Sequence, residues 1–196
     1  MDRNETSARL RPARVEDAAA AVPLLLQALD VLALELAGVE TLAAAVPTFA
    51  ALFALPGNRY GCAQVQVLEV GGTVAGAILA YPGRDEAALA RVTLDWLAAH
   101  APGRALRHQR ESRDDEFYLD ALAVAAAFRG QGLAAALIEG ACAHAARLGH
   151  ARAGLLVDDA KPGVRALYQR LGFVEDGQCT LAGHHYAHMT RALAAA

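Results

Sequence analysis

The chain has 196 residues, 55% of them hydrophobic and 20% charged, with a formal net charge of −3. That length and balance fit one globular domain with a substantial core and exclude a disordered chain, and the slight acidity argues against nucleic-acid binding by bulk electrostatics. The three cysteines (Cys62, Cys142 and Cys179) are odd in number and lack paired spacing, which fits a reducing cytoplasm rather than a disulfide framework.

Residues 1–7 are polar, are expected to be disordered, and show no apolar core of a signal peptide. Ala8 to Ala13 reads as a strand. Asp17 to Leu36 is helical by propensity, and Glu40 to Leu55 reads as a second helix interrupted near Pro47. The longest apolar runs, such as Ala18 to Leu26 with its Pro23, are too short to span a bilayer, so no membrane partner is expected. Gln64 to Val70 largely alternates polar and apolar residues, and Gly71-Gly72 turns it into Thr73 to Tyr81, which predicts a hairpin. Residues 84–113 form an insert with a helix-like start, Asp85 to His100, and a Pro102-Gly103 break. Then come strand Phe117 to Val124, helix Leu133 to Leu148, strand Ala151 to Val157, helix Pro162 to Leu171, strand Phe173 to Asp176 and a last strand His185 to Leu193. Two strands followed by βαβαβ predict a mixed, α+β sheet in one domain over 8–193.

The stretch Val124-Ala125-Ala126-Ala127-Phe128-Arg129-Gly130-Gln131-Gly132-Leu133-Ala134 joins a strand to a long Ala/Leu helix. A glycine-rich turn there lets backbone N–H groups face outward at a helix N-terminus, where the dipole favours anions, and Arg129 adds a cation. The physical reading is a pyrophosphate cradle. No Gly-Lys-Ser/Thr follows, so it is not a nucleotide P-loop, and the three-glycine dinucleotide fingerprint is absent. In the following helix, Leu133, Leu137, Ala141, Ala145 and Leu148 recur at i+3/i+4 spacing, which predicts its buried stripe. A second block, Lys161-Pro162-Gly163-Val164-Arg165-Ala166-Leu167-Tyr168-Gln169-Arg170-Leu171-Gly172-Phe173, follows the next strand.

Arg129-x-x-Gly132-x-Ala134 resembles the acyl-CoA signature of the GNAT N-acetyltransferases, and Tyr168-x-x-x-Gly172-Phe173 resembles that family's second signature, in the expected order and spacing. The resemblance is strong over 117–174, plausible over 8–82 and 175–191, and absent over 84–113. It implies a central, mixed, mostly antiparallel sheet flanked by helices, with acetyl-CoA as cosubstrate. It also implies that Leu122, Ala123 and Val124 hold the pantetheine arm. Arg129, Gly130, Gln131, Gly132, Leu133 and Ala134 would hold the pyrophosphate, and Tyr168 would give a proton to the departing thiolate. Lys161 stands where relatives often carry Asn; with no acceptor atom, it can only donate or pair with phosphate.

Acetyl transfer to an amine needs a proton acceptor, since a lysine-like amine with pKa near ~10.4 is scarce in its free form at pH 7. Alternation would place Glu116, Tyr118, Asp120, Leu122 and Val124 on one face of their strand. Asp120 is the first candidate base and Glu116 the second; equally, Asp120 could only attract a cationic substrate. Tyr118, His185 and His188 are candidate substrate-pocket residues. On a strand His184 and His188 share a face while His185 points away, and no Cys or acidic partner has metal spacing, so no metal site is expected. Arg104, Arg107, Arg110 and Arg113 recur every third residue of the insert, as a solvated connector or as a flap over the site. The function expected is transfer of acetyl from acetyl-CoA to a primary amine, on a small molecule or a protein N-terminus, by direct attack in a ternary complex. The alternative is a module of the same fold that binds acyl-CoA without turnover. Neither reading needs nucleic acid, and a homodimer is compatible with both.

Overall fold

The protein is described by a computed structural model over residues 8–101, 106–181 and 183–194. The hairpin forms as the two glycines require: β2 (Val65–Val70) and β3 (Thr73–Pro82) pair antiparallel. Gly71 and Gly72 carry φ of +57° and +78°, values that an L side chain resists. β1 (Arg9–Pro12) lies on the free edge of β2, and β4 (Phe117–Val124) pairs antiparallel with β3. With β5 (Arg152–Asp158), β6 (Val174–Leu181) and β7 (His184–Ala192) they make a seven-stranded sheet of order β1-β2-β3-β4-β5-β7-β6. Every neighbouring pair is antiparallel except β4 and β5, which run parallel and pair only at Phe117–Ala153 and Tyr118–Gly154. Beyond those two pairs the strands part, and the sheet opens in its middle.

Helices cover both faces. α1 (Ala18–Leu29) and α3 (Leu42–Ala54) bury Leu25, Leu26, Leu52 and Phe53 against Val67, Leu79 and Tyr81. α5 (Leu133–Arg147) buries Leu137, Ile138, Ala141, Cys142 and Ala145 on the opposite face, against Ile78, Leu119 and Leu155. Leu137 is fully buried and its Cδ1 lies 2.8 Å from where a Cβ on Gly76 would sit, so helix and sheet meet at a glycine. Leu137→Ala would cost about 2–5 kcal/mol at such a site. The expected stripe fails at its end, since Leu148 is 55% exposed. α6 (Pro162–Arg170) follows β5, and α4 (Glu86–His100) is the helix of the insert.

Three elements depart from expectation. The single helix over 17–36 is two: Asp30 takes φ +50°, and α2 (Val31–Ala37) leaves at 111° to the helix before it. No glycine or proline marks this break. α3 runs through Pro47 unbroken, because one lost hydrogen bond is outweighed by burial of Ala45, Phe49, Leu52 and Phe53. The strand expected to end at Asp176 continues to Leu181, past a register shift between Glu175 and Gly177. Residues 1–7, the Pro102-Gly103 break and Arg104 lie outside the described residues. Among the described residues, no single helix is long and apolar enough to cross a membrane.

Candidate active site

The opening between β4 and β5 is a cleft of about 520 Å³. Its walls include Leu122, Ala123 and Val124 of β4, Leu156 to Asp158 of β5, Lys161, Leu167 and Tyr168 of the α6 segment, and the α1–α2 junction from Gln27 to Leu32. At one end stands the N-terminus of α5. Gly130 and Gly132 take φ of +77° and +75°, and no side chain caps the helix. A Cβ at either glycine would meet no protein atom within 4 Å, so the turn faces open space with the helix's first N–H groups. Arg129 and Ala134 line the cleft beside this turn, which Gln131 and Leu133 complete. Arg129 Nε donates to the Val124 carbonyl at 3.1 Å, and its Nη2 to Gln27 Oε1 at 3.3 Å. Leu122, Ala123, Val124, Arg129, Ala134, Lys161 and Tyr168 are thus brought to one cleft. The bare helix end, open space and two nearby cations fit a pyrophosphate group.

Tyr168 packs its ring against Phe173, with centroids 5.9 Å apart. Burial pushes its phenol up to about 12, so it holds its proton at neutral pH and can donate it.

Asp120 does not share a face with Leu122 and Val124. The β3 register passes from Ala80–Leu119 to Leu79–Ala121, leaving Asp120 as the extra residue of a bulge. Tyr118 and Ala121 therefore pack toward α1 and α3, while Leu119, Leu122 and Val124 pack toward α5. The bulge turns Asp120 into a buried charge cluster. Its Oδ2 accepts from Arg59 Nε at 2.7 Å and from the Tyr81 hydroxyl at 2.7 Å. The same guanidinium donates to Glu111 Oε1 at 2.5 Å and lies 3.8 Å from Glu86 Oε1. Burial works against the Arg59 charge, but Asp120 and Glu111 hold it firmly protonated.

Glu111 is a residue that sequence reasoning missed. It comes from the insert, and its Oε2 accepts from the Tyr118 hydroxyl at 3.1 Å. Burial pushes its carboxyl above the usual range, and the neighbouring Asp120 and Glu86 add to that against the opposing Arg59 charge. Glu86 fixes this segment from below. It accepts from the backbone N–H of Glu111 at 3.0 Å and of Ser112 at 2.8 Å, and from the Ser112 hydroxyl. His108 Nε2 lies 3.1 Å from the same carboxylate. Burial alone would raise Glu86, but His108, Ser112 and Arg59 outweigh it and bring its pKa to about 2.

A second cavity, of about 550 Å³, lies on the other side of this cluster. α2, Arg59 and Tyr60, α4, residues 106–109 and Glu111 of the connector, and Leu181 of β6 wall it. Leu32, Glu111 and Leu181 line both spaces, so the two cavities meet there. The insert is thus a wall of the site, with Arg107 on its lining. Arg110 pairs instead with Asp114, and Arg113 with Asp176 at 2.8 Å.

Glu116 and His188 line neither cavity. Glu116 Oε1 accepts from the Arg113 N–H at 2.9 Å and lies 3.1 Å from His188 Nε2, whose Nδ1 is 2.7 Å from Asp176. Burial lowers the His188 imidazole, but the two carboxylates outweigh it and raise its pKa. These residues tie β4, β6 and β7 together. His185 is exposed, 3.2 Å from the Thr180 hydroxyl. His184 and Tyr186 line the cleft in its place. Among the described residues, no group of three His, Cys, Asp or Glu side chains is placed to hold a metal ion.

The sequence model of the acetyltransferase (GNAT) family matches residues 39–173. The chain belongs to the GNAT family. Solved structures carry the same fold: an acetyltransferase that is 31% identical over 95% of this chain and 100% of its own, with a TM-score of 0.79. The N-acetyltransferase from Staphylococcus aureus Mu50 is 26% identical over 93% and 100% of the two chains, with a TM-score of 0.78. A GCN5-related N-acetyltransferase from Kribbella flavida, 20% identical over 95% and 98%, shares the fold at a TM-score of 0.61. No curated protein matches the chain. Membership of the GNAT family supports N-acetyltransferase activity in general.

Proposed function

We propose that this GNAT protein moves the acetyl group of acetyl-CoA to a primary amine by direct attack in a ternary complex. The observation that carries the reading is the meeting of two cavities at Glu111, one with a bare helix N-terminus and the other walled by the insert. Acetyl-CoA supplies the acetyl group as a thioester. The residues of the cleft fit it: the N–H groups around Gly130 to Ala134, with Arg129, face the pyrophosphate, and the β4 edge at Leu122 to Val124 faces the pantetheine arm. Lys161 offers a further cation to phosphate.

The acceptor enters as an ammonium through the second cavity. Glu111 takes its first proton, because burial has raised its carboxyl toward the range a base needs. Asp120 is held by Arg59 and Tyr81, and serves to neutralise that guanidinium rather than to move protons. The freed nitrogen attacks the thioester carbon, one C–N bond forms and one C–S bond breaks. Tyr168 gives its proton to the departing sulfur, the nitrogen's second proton restores the phenol, and the proton on Glu111 passes to solvent. Titration calorimetry with acetyl-CoA, followed by free-thiol release on adding amines, tests this reading. One site per chain and amine-dependent thiol release are expected; binding without transfer to any amine would leave a module that only holds acyl-CoA.

A further inference from the structure

Arginine supplies nearly all the basic side chains of this protein. Of its 18 lysine and arginine residues, all but Lys161 are arginine. The distinction is chemical: a guanidinium keeps its proton in proteins, whereas a lysine amine can shed one and act as a nucleophile. The one side-chain amine of the chain therefore stands at residue 161, and it lines the cleft that fits acetyl-CoA.

Local structure places it there. Lys161 is the N-cap of α6, set by a turn in which its backbone N–H donates to the Asp158 carbonyl at 2.9 Å. Tyr168 follows seven residues later, roughly two helical turns on, and both side chains line the cleft. A rise of about 1.5 Å per residue sets the two backbones about 10 Å apart, and side chains on a helix lean toward its N-terminus, which carries the phenol back toward Lys161. Lys161 is exposed, and among the described residues no carboxylate holds its ammonium in an ion pair. Arg165, one turn along α6, takes Asp159 at 3.1 Å and Glu175 at 3.2 Å instead.

We propose that Lys161 is a self-acetylation site, modified from the acetyl-CoA held in its own cleft. The inference goes beyond the transfer reading above but rests on its placement of acetyl-CoA. Lys161 gives one proton to solvent, and its free Nζ attacks the thioester carbon. One C–N bond forms and one C–S bond breaks. Tyr168 protonates the departing sulfur and recovers a proton from the new amide nitrogen, which leaves a neutral acetyl-lysine. Attack within one complex needs no encounter with a second protein, the advantage that makes held reactants fast. The product has lost the cation that faces phosphate, so the modification weakens the next round of acetyl-CoA binding. A protein left with acetyl-CoA and no acceptor thus slows itself.

The test is intact-mass spectrometry of the protein before and after incubation with acetyl-CoA and no amine, with fragmentation to locate the acetyl group. One acetyl group per chain on Lys161 is expected, formed at a rate that does not change with protein concentration. Excess CoA should suppress it, Gly132→Trp should slow it at least about tenfold by removing the bound thioester, and Lys161→Arg should abolish it. Titration calorimetry on the acetylated protein should show CoA affinity reduced about two- to fivefold, the scale of one solvent-reached ion pair. No acetyl group on Lys161, acetylation of the N-terminal amine in its place, or a modification that persists under excess CoA would overturn the self-acetylation site while leaving transfer to amines standing. A protein that neither binds acetyl-CoA nor gains an acetyl group would overturn both.

Discussion

Gly132 separates what the fold needs from what the cosubstrate needs. It opens α5 at φ +75°, where an L residue costs roughly 1–2 kcal/mol. Since a Cβ there meets no protein atom within 4 Å, backbone strain is the whole cost to folding. In a domain of this size it should lower Tm by about 2–8 °C, and by a similar amount in Gly132→Ala and Gly132→Trp. Their effects on CoA should differ. Each charge-assisted backbone hydrogen bond to phosphate is worth about 1.5–3 kcal/mol, so an indole that displaces two of them should raise Kd by roughly 10²–10⁴-fold. Alanine, with one methyl, should fall between wild type and tryptophan. Scanning calorimetry gives the strain, and titration calorimetry gives the affinity. A folded Gly132→Trp protein with wild-type CoA affinity would refute the cradle.

Three further outcomes follow from the geometry. Tyr168→Phe should lower kcat while leaving acetyl-CoA affinity nearly intact, because it removes one hydroxyl and keeps the ring against Phe173; a matching loss of affinity would make Tyr168 a binding group instead. Glu86→Gln puts an amide donor against a buried N–H or against Ser112, costing about 1–3 kcal/mol by urea unfolding, and should lower kcat by loosening Glu111; unchanged stability would show that the carboxylate does not hold the connector. His188 has a raised pKa, so its imidazolium contributes stability that is full below about pH 6.5 and lost as pH rises through the folded value. The stability gap between wild type and His188→Gln should therefore narrow as pH rises above about 6.5, and a constant gap would deny that His188 is charged between Glu116 and Asp176.

Local patterns were legible where local chemistry decides the structure. The Gly71-Gly72 hairpin, the glycine turn into α5 and the Tyr168 helix were written in residues that have one physical use at those positions. The charge cluster was not, because nothing local announces it. Arg59 follows Pro56-Gly57-Asn58, a run that reads as an exposed turn, yet it is 5% exposed. It reaches Asp120 across 61 residues and Glu111 across 52. The bulge at Asp120 is set by its pairing with β3, so alternation along β4 alone put Asp120 with Leu122 and Val124. Glu116 read as a surface continuation of Asp114-Asp115, or as a base, but β5 offers Gly154 where its carboxylate lies, and it is buried there. The break at Asp30 carries no glycine or proline, so helical propensity ran through it.

The claim that transfer happens at Glu111 is tested most directly by pH profiles of kcat/KM with acetyl-CoA and 2-phenylethylamine, for wild type, Glu111→Gln and Asp120→Asn. Glu111 is faced by Arg59, Glu86, Asp120 and Tyr118, none of which Glu111→Gln removes. Its loss should be about 10²–10⁴-fold near neutrality and should shrink toward alkaline pH, where the amine deprotonates itself. Asp120→Asn should lose stability by weakening the pairing of Arg59, and because the Asp120 charge helps raise Glu111, it should move the acid limb of the profile to lower pH while the loss persists at alkaline pH. A Glu111→Gln protein with wild-type turnover at neutral pH, together with an Asp120→Asn loss that disappears at alkaline pH, would contradict the account.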